Sequence, residues 1–289
     1  MSNFPEFINL KLGLYVDKLV DWLVINADSI FDAISKGMLW ALLRIQNFLI
    51  WIPWFVVIGL IFLIGIYAKN WKSGLTYAVM LMLIGAMGLW YEMMLSLSII
   101  ITSVIISIVI GVPLGILSAK SKRLSLIMSP LLDAMQTMPS FVYLIPAVMF
   151  FGLGMVPAVF ATIIYATPPA IRLTNLAIAG VDKEMLEAAN SFGASSMSVL
   201  FKVELPQAFP TIMTGINQTM MMAVSMVVIA SMIGAKGLGL NVLEAINRLD
   251  IAKGFEAGLS VVFLAIILDR LTQGMANKMN YHSNDNDRS

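Results

Sequence analysis

The chain of 289 residues is 59% hydrophobic and 12% charged, and its formal net charge is +1. A soluble domain carries about 25% charged residues, so this composition indicates a membrane protein, and the near-zero net charge argues against nucleic-acid binding. The absence of cysteine excludes disulfides and thiolate metal sites, and the single histidine, His282, lies in a polar C-terminal segment, which excludes histidine catalysis inside a membrane.

The first 47 residues are predicted to form a tail with one amphipathic helix. Between residues 27 and 45 apolar side chains recur at helical spacing, and charged side chains occupy the opposite face. Such a helix fits the membrane surface and equally well the flank of the protein itself, because both surroundings need the same apolar stripe. Two membrane spans, at 48–68 and 75–91, are predicted to follow within residues 48–92.

Five more spans are predicted between residues 93 and 277, before a polar tail at 278–289. They are stretches of membrane-spanning length with few or no charges, at 93–119, 126–151, 155–171, 211–233 and 255–275. The expected fold is therefore an all-α polytopic membrane protein with about seven transmembrane helices.

A basic cluster predicts the orientation of these spans. Lys120, Lys122 and Arg123 follow directly after the span at 93–119. Basic residues next to spans are enriched on the cytoplasmic side of a membrane, so this end of the span is predicted to be cytoplasmic. Alternation of the spans then predicts a cytoplasmic C-terminus, a cytoplasmic stretch at 179–209 and an N-terminus on the outer side.

Small residues repeat at every fourth position of the span at 93–119. They are Ser103, Ser107, Gly111, Gly115 and Ala119. This spacing places them on one helical face, where another helix can approach closely, and it predicts a packing seam. A substrate groove on the same face is the less favoured alternative.

The polar stretch at 179–209 is predicted to hold two short helices. Asp182 is suited to cap the first helix, and Gly193 is suited to end it in a left-handed conformation. Ser195 or Ser196 can cap the second helix, which Leu205-Pro206 is predicted to end because proline disfavours a helical residue before it.

Within this stretch, Glu187-Ala188-Ala189, Gly193, Val203 and Leu205-Pro206 stand at spacings that resemble the EAA loop of ABC importer permeases. In that family the loop is a coupling helix that docks into a groove of the ATPase. The resemblance therefore implies that these residues couple the chain to a cytoplasmic ABC ATPase, which would bind the ATP and Mg. The chain has no Gly-Lys dipeptide for a P-loop, so we expect it to bind no cofactor and not to be an enzyme.

Three further segments narrow the resemblance. The segment 131–146, LLDAMQTMPSFVYLIP, and the segments GINQ at 215–218 and SMIGAKGLG at 231–239 look like the glycine betaine/proline betaine/choline permeases. The resemblance implies a five-helix core, preceded by two additional helices, in the cytoplasmic (inner) membrane of a bacterium. It also implies a permease dimer, an extracytoplasmic substrate-binding protein, and inward transport of an osmolyte such as glycine betaine, proline betaine, choline or trimethylamine N-oxide by alternating access.

Polar and proline residues in the spans are the candidates for the substrate pathway. They are Asp133, Gln136, Pro139, Tyr143, Asn217 and Gln218. An acid at membrane depth suggests a functional role, although a polar contact between helices explains Asp133 as well.

Two alternative functions stay open. One is an ABC importer permease for another small solute such as an amino acid. The other is an ion-coupled secondary transporter, but such proteins usually show an internal repeat and acids or broken helices at the membrane midplane, whereas here the polar signal concentrates in one cytoplasmic loop.

Overall fold

The computed structural model describes residues 12–286, with side chains from residue 13 to residue 274, and this part of the chain is helical without a strand. The ends of the two predicted tails, residues 1–11 and 287–289, lie outside it. The helices are α1 Leu12–Asn26, α2 Asp28–Trp51, α3 Trp54–Ala68, α4 Trp71–Ala86, α5 Trp90–Lys120, α6 Lys122–Thr137, α7 Leu144–Phe151, α8 Met155–Ala179, α9 Lys183–Ser191, α10 Ser196–Val199, α11 Leu205–Ala230, α12 Leu238–Arg248 and α13 Ile251–Asn286. The all-α prediction is confirmed.

The described residues support fewer spans than the about seven that the sequence predicts. In the described part of the chain, 4 helical segments are long and apolar enough to cross a membrane alone: Trp90–Lys120, Met155–Ala179, Ser196–Ile233 and Ile251–Gly274. Two bent pairs, α2 with α3 and α6 with α7, raise the number to 6 if each pair is one span. Helix α4 has 16 residues, which is short of the length that a hydrocarbon core requires.

The span predicted at 48–68 is not one helix. Helix α2 continues to Trp51, Ile52 is extended with φ −72° and ψ 125°, and α3 begins after Pro53. The two helices are bent by 97° relative to each other. The break follows from Pro53, which disfavours a helical conformation in the residue before it and has no N–H to continue the helix.

The span predicted at 126–151 is broken for the same reason. Helix α6 ends before Met138, which is extended with ψ 135°, and Pro139 starts a short 3₁₀ turn, Ser140–Tyr143, that leads into α7. The two parts are bent by 110°. Pro139 therefore separates two helices instead of lying within one span.

Helix α8 does not end at Ile171, as the sequence predicted, but continues to Ala179 through Pro168 and Pro169. Both prolines are buried among neighbouring helices. The hydroxyl of Thr167 donates to the carbonyl of Ile163 at 2.6 Å. Proline is tolerated inside a membrane helix where packed neighbours and such hydroxyl contacts compensate for the lost backbone bond.

The predicted seam of small residues is confirmed and joins α5 to α8. Ser103 Oγ and Ser107 Oγ donate to carbonyls of α8 at 3.5 and 3.4 Å. Gly111 and Gly115 lie so close to α8 that an added Cβ would stand 2.8 and 2.6 Å from its side-chain carbons. Small side chains on this face of α5 therefore let the two helices pack in direct backbone contact.

The turns of the bundle collect at two opposite ends. At the end that carries residues 179–209, called the loop end here, Lys120 forms an ion pair with Glu204. Gly274 of α13 also approaches the α3–α4 turn there, because an added Cβ would stand 2.6 Å from Cβ of Ala68. The turn that bears Lys69 is thus at the same end as the basic cluster after α5.

The other end, called the distal end here, gathers the remaining turns. The backbone N–H of Gly154 donates to the carbonyl of Ile233 at 2.9 Å, and that of Leu238 donates to Ser96 Oγ at 2.8 Å. These bonds join the α7–α8 turn to the end of α11, and the start of α12 to the first part of α5. The turns on either side of α12 both lie here, since Arg248 and Asp250 line one cavity with Met87 and Leu89 of the α4–α5 turn.

Helix α2 packs on the flank of the bundle at the distal end, which was one of the two predicted positions. The ring of Phe31 stacks on that of Phe150 with centroids 4.5 Å apart. Met38 and Leu42 are buried against the bundle, and Leu42 is 0% exposed. Part of the apolar stripe therefore contacts the protein, whereas Ile30 and Ile34 at its start are exposed.

Candidate functional site

The stretch at 179–209 leaves the helical bundle as a separate short helix, α9. Its predicted N-cap is confirmed, because a carboxylate oxygen of Asp182 accepts a hydrogen bond from the N–H of Glu184 at 2.9 Å. No residue of α9 is buried. A helix of this length is marginal alone, so its position depends on the structures at its two ends.

Gly193 ends α9 with φ +74°, as predicted. The N–H of Gly193 donates to the carbonyl of Asn190 at 2.9 Å, and the N–H of Ala194 donates to that of Ala189 at 3.1 Å. This pair of bonds is a Schellman motif, which requires a left-handed residue at the glycine position. The glycine thus sets the angle at which the chain leaves α9.

The second predicted helix begins as expected but does not end at Leu205-Pro206. Ser195 Oγ accepts from the N–H of Ser198 at 3.3 Å and caps α10. A π-helical turn, Leu200–Glu204, then leads without interruption into α11. Pro206 thus lies inside a continuous helical segment, which tolerates it because a local π turn is one of the adjustments that compensate for a missing backbone donor.

Large apolar side chains are exposed along this loop. We call them the loop patch, and they are Met185, Phe192, Met197 and Phe201, exposed by 50%, 92%, 65% and 61%. Charged residues surround them, among them Glu184, Glu187 and Lys202. An apolar patch with a polar rim is typical of a protein interaction site.

The residues of the predicted coupling motif are spread over this loop. Glu187 and Ala188 are exposed on α9, and Ala189 is half-buried. Val203 lies half-buried in the π turn. Leu205 is half-buried and Pro206 is exposed in the first turn of α11. The motif therefore supplies both a free helix and the segment that connects it to the bundle.

The predicted pathway residues are not gathered into one site. Asp133 Oδ1 accepts from Arg172 Nη2 at 2.5 Å, an ion pair between α6 and α8 in which both side chains are substantially exposed. Gln136 and Pro139 are exposed near the break after α6. The ion pair of Asp133 with Arg172 agrees with the interpretation of Asp133 as a polar contact between helices. A role of Asp133 in substrate passage stays a prediction.

The other three candidates lie elsewhere. Tyr143 is buried, and its hydroxyl donates to the carbonyl of Met135. Asn217 Nδ2 donates to Asp269 Oδ1 at 3.0 Å, which joins α11 to α13, and Gln218 is exposed. Tyr143 and Asn217 therefore make helix-to-helix contacts in this conformation.

A family model described as "Binding-protein-dependent transport system inner membrane component" matches residues 111–281. The match includes the exposed loop and the helices that hold it. The chain belongs to this family.

Curated relatives of this permease extend over most of its length. It is 46% identical over 266 residues to the glycine betaine/proline betaine transport system permease protein ProW of Escherichia coli strain K12, covering 92% of this chain and 75% of the relative. It is 47% identical over 280 residues to the glycine betaine/carnitine transport permease protein GbuB of Listeria monocytogenes, covering 95% and 98%. It is 38% identical over 228 residues to the trimethylamine N-oxide transport system permease protein TmoV of Pelagibacter ubique, covering 78% and 32%.

Solved structures show the same fold. One chain of the MetNI methionine ABC transporter in an inward-facing conformation aligns with a TM-score of 0.60 at 20% identity, covering 64% of this permease and 93% of that chain. The protein is thus a multi-pass inner-membrane permease subunit of an ABC importer and not an enzyme. Its family implies an ATPase and a substrate-binding protein as partners.

One pair of residues near the loop was missed by the sequence reasoning. Glu204 is 3% exposed, and its carboxylate accepts a hydrogen bond from Lys120. In the sequence, the acidic residue directly before Leu205-Pro206 was the signal that could have pointed to Glu204. Its partner lies 84 positions away, so the sequence pattern did not reveal the pair.

Proposed function

We propose that this permease moves a quaternary-ammonium or betaine-type osmolyte into a bacterial cell by alternating access, driven by an ABC ATPase that docks on the loop at 179–209. The observation that carries the proposal is a free helix with the EAA spacing, of which no residue is buried within the chain. In this proposal ATP and Mg bind to the ATPase, and the permease itself holds no cofactor.

The loop patch supports docking at this position. Phe192, next to the left-handed Gly193, is 92% exposed, which is costly for a large aromatic side chain that has no partner. Full burial of such a side chain against a partner is worth about 1.5 to 3 kcal/mol. Glu187 and Ala188 lie exposed on the same short helix, so a groove that accepts α9 would contact both the apolar patch and the motif.

The substrate class rests on the relatives. The relatives ProW, GbuB and TmoV are named for glycine betaine, proline betaine, carnitine and trimethylamine N-oxide, all of which are small solutes with a methylated nitrogen. The chain's own residues do not distinguish among them. The osmolyte class is therefore proposed as a whole.

A competition experiment tests the substrate class. In proteoliposomes with the ATPase and the capture protein, uptake of labelled glycine betaine is expected to fall about tenfold when an unlabelled betaine, carnitine or trimethylamine N-oxide is added at ten times its Kd, by simple site competition. Methionine at the same excess is the control and is expected to leave uptake unchanged. Uptake that methionine abolishes and the methylated solutes leave intact would refute the osmolyte class in favour of an amino-acid permease.

We further propose that the loop end faces the cytoplasm, with the N-terminus outside and the C-terminus inside. The basic residues Lys69 and Lys120 lie at turns of the same end, and this grouping supports the orientation by the positive-inside rule. Helix α2, which packs at the distal end, is consistent with an external N-terminus.

Single-cysteine labelling tests this orientation directly, because the chain has no cysteine of its own. Ser195→Cys at the loop end and Leu249→Cys at the distal end are both at exposed positions. A membrane-impermeant maleimide is expected to label position 249 in intact spheroplasts and position 195 only after the membrane is opened. Labelling of position 195 in sealed spheroplasts would contradict both the orientation and the docking proposal.

The proposed assembly is a permease dimer in membrane lipid with two ATPase subunits at the loop end and the binding protein at the distal end. Two copies are proposed because in this family one pathway forms between two permease chains.

A further inference from the structure

Glu204 is a buried acid at the junction between the loop and the membrane helices. Its side chain is 4% exposed, whereas that of its partner Lys120 is 48% exposed. Oε1 accepts from Lys120 Nζ, and Oε2 is buried without a hydrogen-bond partner among the described residues. A buried carboxylate is costly unless it is paired, so Glu204 depends on Lys120.

The pair lies where three helices meet at the loop end. A small apolar cluster there combines the ends of α8 and α5 with the start of α11; it contains Ala177, Ile178, Ala208 and Ile212, with Val112 and Ile116 packed against them. A second polar contact, Asn175 Nδ2 to Ser118 Oγ at 3.3 Å, joins α8 to α5 beside it. The Lys120–Glu204 ion pair adds a polar contact between α5 and the π turn that precedes α11.

The segment that carries Glu204 is a π-helical turn, Leu200–Glu204. The N–H of Leu205 reaches back five residues to the carbonyl of Leu200. Such turns are uncommon and frequently lie at functional sites, since their wider hydrogen bonding permits local rearrangement. The loop is connected to α8 on one side and to α11 through this turn on the other, so neither connection by itself ties it to α5.

We propose that Lys120 and Glu204 are positioning residues for transport. Their ion pair holds the π turn against the loop end of α5, so that movement of the docked loop also moves α5 and, through the small-residue seam, α8. This inference rests on the proposed docking of the ATPase on the loop. Lys120 also lies in the last turn of α5, where a positive charge is favoured by the helix dipole.

The test is the number of solute molecules transported per ATP hydrolysed by the reconstituted complex of permease, ATPase and binding protein. Lys120→Gln is expected to lower this ratio about tenfold, a typical size for a change in coupling between two sites. Co-purification of the ATPase is expected to stay normal, because the loop patch is unchanged. Glu204→Gln is expected to act in the same direction.

Two controls separate this role from a structural one. Lys120→Arg retains the charge and is expected to retain the ratio. Asp32→Asn removes an exposed ion pair with Lys36 on α2 and is expected to leave both ratio and ATPase activity unchanged. A purely structural role would reduce the amount of assembled complex in Lys120→Gln and Glu204→Gln but would leave their ratio of solute to ATP unchanged.

The outcomes distinguish failure of the docking proposal from failure of the positioning role of Lys120 and Glu204. If the unaltered permease does not retain an ATPase, the docking proposal fails. If it does, and Lys120→Gln transports as much solute per ATP as Lys120→Arg, the positioning role is wrong. Lys120 is half-exposed, so this comparison decides the matter even if Glu204→Gln does not fold.

Discussion

Replacement of Gly193 by valine is expected to lower the affinity of the permease for its ATPase about tenfold, because a left-handed conformation costs an L-residue about 1 to 2 kcal/mol and 1.4 kcal/mol is a factor of ten. Gly193 has φ +74°, and an added Cβ would meet nothing within 4 Å. The penalty therefore comes from the backbone and not from a clash. Relief of this strain would change the angle between α9 and α10 and displace the loop patch.

The matched control is Gly193→Asn. Asparagine is the residue other than glycine that most readily adopts the left-handed conformation, and the open surroundings accommodate its side chain. We expect near-normal co-purification of the ATPase and near-normal uptake for this variant, and reduced values for valine at equal membrane amounts of permease. Glu187→Ala is expected to have a smaller effect than valine, because Glu187 is exposed and water can replace its contacts.

The docking proposal would be contradicted by equal assembly and equal uptake in the valine and asparagine variants. In that case the conformation at position 193 would not matter to the ATPase, and the loop would be an ordinary connection between α8 and α11. Reduced accumulation of both variants in the membrane is not expected, since Gly193 lies outside the packed helices.

Gly115→Ala is expected to destabilise the permease itself by about 1 to 3 kcal/mol, the usual cost of an extra methylene in a close-packed core. The added Cβ would stand 2.6 Å from Cβ of Thr174 and 2.7 Å from the carbonyl oxygen of Ile171. The carbonyl belongs to the backbone of α8, so the two helices would have to separate. The measurement is the thermal unfolding midpoint of the purified permease, together with its amount in the membrane.

Gly59→Ala is the control for this change. Gly59 is also a helical glycine, but an added Cβ there would meet nothing within 4 Å, so its replacement is expected to leave the midpoint unchanged or slightly raised. The same midpoint for the Gly115 and Gly59 variants would show that α5 and α8 are not held in backbone contact.

The sequence determined those features that depend on a few neighbouring residues. The cap at Asp182 and the left-handed Gly193 were predicted and are present, because a cap and a turn are local hydrogen-bonding arrangements. The small-residue face of α5 was also predicted, since helical periodicity alone places Ser103 and Gly115 on one side. The basic cluster and the coupling motif are likewise short patterns that can be recognised in the chain itself.

The tertiary structure alone decided what each proline does. Pro53 and Pro139 end helices, whereas Pro168 and Pro169 lie within α8 and Pro206 starts α11. The covalent chemistry is the same in each case. The difference lies in the surroundings, because packed helices around α8 and the π turn before α11 compensate for the missing N–H. The spans predicted at 48–68 and 126–151 are bent for this reason.

The partner of Glu204 was also decided only by the fold. The sequence shows an acid beside an apolar segment and a lysine 84 positions earlier, but no local pattern relates them. They meet because α5 ends and α11 begins at the loop end, where both helices pack against α8. Burial removes water from the Glu204 carboxylate, and a buried charge is costly unless another group pairs with it. That group, Lys120, comes from a distant part of the chain, so only the fold brings it into contact.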